Sequence, residues 1–346
     1  MKKRKFGKNK ATKETNLYIF ENANGMKMEV TDLGATLVRL LVPDKKGVLR
    51  DVVLGYDGAW EYENGSGTFF GATVGRNANR IGKAEIVING ARYELDKNDG
   101  DNNLHSGLDF YSFRVWDVKN MDENSITFYL NSPHMDQGYP GEVQIDVTYT
   151  LTEDNQVRID YLAVPEEDTI INLTNHSYFN LDGHDSGNVL AQQMWIDADS
   201  YTETDACSIP TGKVLQVENT PMDFRQKKAI GAEIDTEYEA VILGRGYDHN
   251  WCLNNGGKLA KVAELTSEES GITMEVFSDC PGVQFYTANY IGTKNAKGGA
   301  SYEWRDAFCL ETQYFPNAIN EPDFKSPVTK AGETYKSTTI YKFGIK

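Results

Sequence analysis

Five polar clusters stand far apart in this chain, at 75–80, 103–105, 172–180, 247–250 and 310–313, and each holds residues suited to acid/base work on a hydroxyl-rich substrate such as a sugar. The third is the most informative. It sets His176 among Asn172, Asn175, Ser177, Tyr178 and Asn180, directly after the run Thr169-Ile170-Ile171. Polar groups crowded at a strand end cost desolvation unless they contact one another or a ligand. Glu311 follows Phe308-Cys309-Leu310 and so belongs at the edge of the core. Partial burial there raises a carboxyl pKa and strengthens the carboxylate as a base near neutral pH. One histidine and one glutamate on separate strands can act as general acid and general base.

The other clusters each carry a structural alternative. His105 follows the turn-rich Asp99-Gly100-Asp101-Asn102-Asn103-Leu104 and is either a loop histidine or a site residue. Asp248, in Tyr247-Asp248-His249-Asn250, lies close after Gly244-Arg245-Gly246, where glycine lets backbone approach a ligand. It either accepts two sugar hydroxyls or caps a turn. Arg80, in Gly75-Arg76-Asn77-Ala78-Asn79-Arg80, either meets a hydroxyl or pairs with a carboxylate. The segment is no phosphate loop, having neither G-x-G-x-x-G nor a Walker lysine. His105, His176 and His249 lack the short spacings of zinc motifs, so no metal is expected.

The elements that must carry these groups read as strands. Residues 85–95 form a hairpin with Asn89-Gly90 as a type I′ turn. Val143, Ile145, Val147, Tyr149 and Leu151 alternate with polar residues, as do Val157, Ile159, Tyr161 and Ala163 beyond a turn at 152–155. Strict period two marks antiparallel strands with one buried face. Further strands are expected at 259–265, 272–277, 283–287, 307–312 and 338–343, and short helical turns at 59–62 and 226–230. So many antiparallel strands require stacked sheets or a barrel, and a large all-β sandwich fits best. Residues 1–16 read as a disordered basic leader and 17–346 as a single domain.

The bulk properties agree with such a domain: 346 residues, 40% hydrophobic and 25% charged. A net charge of −16 excludes a phosphate-binding surface and slightly favours a neutral small molecule. The four cysteines, at 207, 252, 280 and 309, form no C-x-x-C pair and read as free thiols in a reducing, cytoplasmic setting. Met1-Lys2-Lys3-Arg4-Lys5 precedes no apolar h-region, and no transmembrane run occurs.

In combination the motifs resemble those of the aldose 1-epimerases, or galactose mutarotases, from about residue 20 to Phe343. They are Gly-Arg-x-Ala-Asn-Arg-Ile at 75–81, Asn-x-Leu-His at 102–105, Asn-His-Ser-Tyr-Phe-Asn-Leu at 175–181, Asp-His at 248–249, Val-Gln-Phe-Tyr-Thr at 283–287 and Glu-Thr-Gln at 311–313. The resemblance implies a β-sandwich with an open concave cleft, with Glu311 as base, His176 as acid, and Asn79, Arg80, His105, Tyr178, Asp248 and Gln284 on the sugar. His105 would also polarise the ring oxygen. Glu311 is expected to raise the pKa of His176. Ser106, Pro316-Asn317 and Lys330-Ala331-Gly332 depart from the family pattern without touching the acid or the base. The expected activity is anomer interconversion of free aldohexoses such as galactose and glucose. It would run without a cofactor, in a cytoplasmic monomer with no nucleic-acid or membrane partner. The rivals are a glycoside hydrolase using Asp248 and Glu311 and a non-catalytic sugar-binding protein built on the chain's 19 tyrosines and 5 tryptophans.

Overall fold

The computed structural model describes residues 1–65 and 69–346. Strands dominate. A five-stranded sheet runs in chain order through Lys2–Lys8, Glu14–Glu21, Lys27–Thr31, Thr36–Pro43 and Leu49–Asp51. A nine-stranded sheet is ordered Asp117–Met121, Ser125–Ser132, Val143–Leu151, Gln156–Pro165, Tyr335–Ile345, Ile272–Ser278, Ala260–Thr266, Gln193–Ile196 and Lys228–Ala229. A second five-stranded sheet is ordered Pro210–Gln216, Ser200–Thr204, Asp248–Cys252, Gly282–Tyr286 and Cys309–Gln313. Pairing within all three is antiparallel. The strand Tyr335–Ile345 enters the middle of the nine-stranded sheet, between Gln156–Pro165 and Ile272–Ser278.

The strongest sequence periodicities become the central strands. Along Val143–Leu151 the odd-numbered residues are buried and the even-numbered ones partly or fully exposed. Asn89 and Gly90 take φ of 51° and 79°, as their hairpin turn requires. One apolar core unites Met28 and Leu40 of the first sheet, Val147, Ile159 and Tyr341 of the nine-stranded sheet, and Trp251, Phe285 and Leu310 of the third. The fold is thus an all-β sandwich. Gly282–Tyr286 and Cys309–Gln313 are buried at every position, so both of their faces are covered. Their sequences accordingly lack clean alternation.

Two expectations give way. Lys2–Lys8 is not a disordered leader but an edge strand paired with Glu14–Glu21. Its one large apolar residue, Phe6, packs with Leu17, Leu33 and Ala59, while Lys5 and Arg4 pair with Glu14 and Glu29. Charges of this kind suit an edge strand, because they discourage further pairing. The segment 226–230 forms no helical turn over its length. Lys228–Ala229 instead pairs with Gln193 and Met194 at the edge of the nine-stranded sheet, and a short 3₁₀ turn begins only at Ile230. Lys227 and Lys228 are held there by Glu264 and Glu233. The expected turn at 59–62 is a short helix, Ala59–Asn64.

Candidate active site

The polar cluster around His176 sorts into scaffold and site. Thr174–Asn175 pairs with Thr73–Val74, and the His176 backbone closes on Ala72 and Gly71 with N–H···O distances of 2.9 Å. Asn175 donates to the Gly71 carbonyl at 2.8 Å and accepts from the Ser177 hydroxyl. Asn172 accepts from the Tyr314 backbone at 2.9 Å, and Asn180 donates to the carbonyls of Gly187 and Asp306. These amides satisfy buried backbone. His176 and Tyr178 are left to line a cavity of about 210 Å³.

The His176 ring is constrained on several sides. It stacks on Tyr178 at 5.0 Å and on Phe69 at 5.7 Å, and meets the His105 ring edge-on at 5.4 Å. Its Nε2 lies 3.5 Å from Glu311 Oε1 and its Nδ1 lies 3.6 Å from Cys309 Sγ. Cys309 and Glu311 are two residues apart on one strand and so project from the same face. Both members of the pair are almost wholly buried, at 6% and 3% side-chain exposure. Burial sets their protonation. It drives the Glu311 carboxyl well above its ordinary value, reinforced by the negative charge of Asp248 and opposed by Arg80. It also drives His176 down to about 4, so the expected upward shift from Glu311 does not prevail. Burial therefore favours the neutral form of both groups.

His105 stands across the cavity. Asn103–Leu104 pairs with Arg80–Ile81, and His105 itself has a φ of 51°. The Asn79 backbone N–H donates to His105 Nδ1 at 3.1 Å. Neutral His105 consequently carries its proton on Nε2. Burial, followed by the neighbouring His176 and Arg80, holds its pKa well below the usual range. Arg80 donates through Nε to Asp99 Oδ2 at 2.7 Å. Although burial opposes its charge, Asp248 and Asp99 raise its pKa. Asp248 Oδ1 accepts from Gln284 Nε2 at 2.7 Å.

Asn79, Arg80, His105, His176, Tyr178, Asp248 and Glu311, drawn from five separate parts of the sequence, thus line one cavity. Gln284 stands behind it, its amide committed to Asp248. His249 points to the other side of its strand, where it meets Tyr201 and Trp251 in the core. Arg76 is fully buried and donates to the carbonyls of Ser132, Pro133, Pro140 and Gly141. Sequence reasoning missed Phe69, Leu104, Tyr286, Tyr290 and Ile291 as lining residues. Of these, Leu104 and Tyr286 carried a signal, because they fall inside the Asn-x-Leu-His and Val-Gln-Phe-Tyr-Thr motifs.

Donor atoms of His105, His176 and Glu311 lie within 4.8 Å of one another, close enough to surround a metal ion. The His105 tautomer argues against it. With Nδ1 accepting from Asn79, the ring presents an N–H where a ligand needs a lone pair. The arrangement suits a hydroxyl or ring oxygen better.

A family model described as aldose 1-epimerase matches residues 16–342. Galactose mutarotase from Bos taurus is 38% identical over 321 residues, covering 92% of each chain. Aldose 1-epimerase from Escherichia coli is 34% identical over 332 residues, covering 94% of each. Among solved structures, an aldose epimerase homologue from C. elegans superposes with a TM-score of 0.88 at 30% identity, covering 96% of this chain and 99% of that one. Sequence and fold agree, and the chain belongs to the aldose 1-epimerase family.

Proposed function

We propose that the protein interconverts the α and β anomers of free aldohexoses, galactose and glucose among them, with Glu311 as general base and His176 as general acid. The observation that carries this reading is the buried pair of Glu311 and His176, 3.5 Å apart at a polar cavity. The names of the relatives support the same chemistry. Glu311 takes the proton from the C1 hydroxyl while His176 Nε2 gives one to the ring oxygen, and the hemiacetal opens. Rotation about C1–C2 and reclosure on the other face give the second anomer. No group or electron leaves the sugar, so the reaction needs no cofactor.

The protonation states fit this cycle. The neutral pair that burial favours holds the one proton the cycle needs; its transfer from Glu311 to His176, 3.5 Å away, gives the carboxylate and imidazolium that open the ring, and opening restores the neutral forms. Total proton count is unchanged, so the pair is reset on reclosure without exchange with solvent. The neutral His105 N–H suits the ring oxygen, and Asp248, Arg80 and Asn79 suit the remaining hydroxyls. We further propose that the chain works as one unit from Lys2 to Ile345, since the Lys2–Lys8 strand joins the first sheet and Arg80 and Glu311 face one cavity from distant parts of the chain. A reducing, cytoplasmic setting is consistent with the four free cysteines. No helix among the described residues is long and apolar enough to cross a membrane.

Polarimetry of freshly dissolved α-galactose and α-glucose tests the assignment. Enzyme should accelerate relaxation of the optical rotation and leave an aryl galactoside uncleaved. Relaxation at the buffer rate for both sugars would overturn it, and release of the aryl group would favour a hydrolase.

A further inference from the structure

Behind the cavity wall lies a chain of buried amides that the proposed mechanism does not use. Asn250 on Asp248–Cys252, Gln284 on Gly282–Tyr286 and Gln313 on Cys309–Gln313 lie on three adjacent strands, at 1%, 3% and 0% exposure. Register brings them together, with Asn250 opposite Gln284 and Gln313 opposite Gly282. Gln313 Nε2 donates to Gln284 Oε1 at 3.4 Å and to Asn250 Oδ1 at 3.3 Å. Gln284 Nε2 in turn donates to Asp248 Oδ1 at 2.7 Å.

The direction of this chain follows from its end. A carboxylate only accepts, so Gln284 must turn its NH₂ towards Asp248 and its oxygen away. That oxygen needs a donor, and among the described residues the NH₂ of Gln313 supplies it. Gln313 Oε1 and Asn250 Nδ2 are then left buried with no partner among the described residues. Unpaired buried polar atoms cost stability and call for an explanation.

Resting on the proposed sugar-binding role of Asp248, we infer that Gln313 is a positioning residue. It holds Gln284 in the one amide orientation that donates to Asp248, and so fixes the carboxylate that grips the substrate. Asp248 is also the charge that reinforces Glu311 and Arg80 across the cavity. Its placement therefore matters to more than one contact.

A double-mutant cycle tests this. Gln284→Met removes the donor to Asp248, and Gln313→Met removes the group that orients Gln284. If Gln313 acts through Gln284, Gln313→Met raises KM ~5-fold with kcat within about twofold, and the double variant matches Gln284→Met alone. Gln313→Glu, nearly isosteric, should raise KM as well, because a carboxylate at 313 draws the Gln284 NH₂ away from Asp248. It also serves if the methionine variant fails to fold. Additive effects in the cycle, or wild-type KM in both Gln313 variants, would overturn the inference. Absence of mutarotation in the wild type would instead overturn the proposed function. Sugar dissociation constants measured by calorimetry across the same cycle would then decide the role of Gln313 by the same criterion.

Discussion

At the scale of single residues, the proposed mechanism divides the work between proton transfer and grip. Glu311→Gln keeps the shape and removes the basic oxygen, and His176→Asn keeps some hydrogen bonding without proton delivery. Each should lower kcat by ~10²-fold or more, the contribution of one general catalyst. Asp248→Asn and Arg80→Ala should instead raise KM more than they lower kcat, because hydroxyls remote from the reacting bond are held alike in ground and transition states. Steady-state polarimetry on folded variants separates the two outcomes, and a near-wild-type kcat in Glu311→Gln would remove it as the base. The pair also predicts a bell-shaped pH dependence of kcat/KM. Activity should fall in acid when both groups are protonated and in alkali when the shared proton is lost, with apparent constants that belong to the pair. Glu311→Gln should remove the acid limb, because no second group remains to be protonated, and leave a single fall as His176 loses its proton.

At the scale of elements, the three adjacent strands of the second five-stranded sheet matter most, since they carry Asp248, Gln284 and Glu311 in fixed register. Their close approach depends on Gly282. A Cβ there would lie 2.5 Å from Asn250 Oδ1 and 2.9 Å from the Phe315 ring. Gly282→Ala should therefore cost ~1–3 kcal/mol of stability, the range for overpacking a filled core, as read by denaturant titration. An unchanged midpoint would mean that the strands yield more easily than this packing implies. The edge strand Lys2–Lys8 makes a separate prediction. Phe6→Ala should destabilise by ~3 kcal/mol, at the lower end for a buried phenylalanine, while leaving kcat and KM unchanged. These strand positions were legible from alternation wherever one face is exposed. The Lys2–Lys8 strand was not, because its charged residues outnumber its one large apolar residue and imitate a solvated leader.

At the scale of the whole molecule, buried histidines tie stability to pH. Burial lowers both His176 and His249 to about 4, with Asp248 working against the shift at His249. Between their unfolded value near 6.5 and about 4, the unfolded chain binds protons that the folded chain refuses. Stability is thus full above ~6.5 and falls as pH drops through this window, by ~2 kcal/mol at pH 5 for each histidine. Glu311, shifted upward, acts in the opposite sense and offsets part of the loss. Urea unfolding between pH 7 and 5 should show the decline, and His249→Gln should reduce proton uptake on unfolding by about one near pH 5. An unchanged slope in that variant would show that His249 is protonated within the fold.

The strand class and the candidate acid and base residues were legible in the chain alone. Period-two alternation is a local property, and His176 and Glu311 each announce themselves by their immediate neighbours. Folding alone sorts the polar residues into those that face the cavity and those that serve the scaffold. Asp248 and His249 are adjacent in the chain yet point to opposite sides of one strand. Asn172, Asn175 and Asn180 look like site residues and instead tie down backbone. Gln284 sits one layer behind the wall, and Phe69 and Tyr290 reach it from segments without polar signature. Protonation was likewise settled by the fold, because desolvation depends on burial by distant segments. The buried surroundings of His176 and Glu311 push both towards neutrality more strongly than their mutual attraction favours charge.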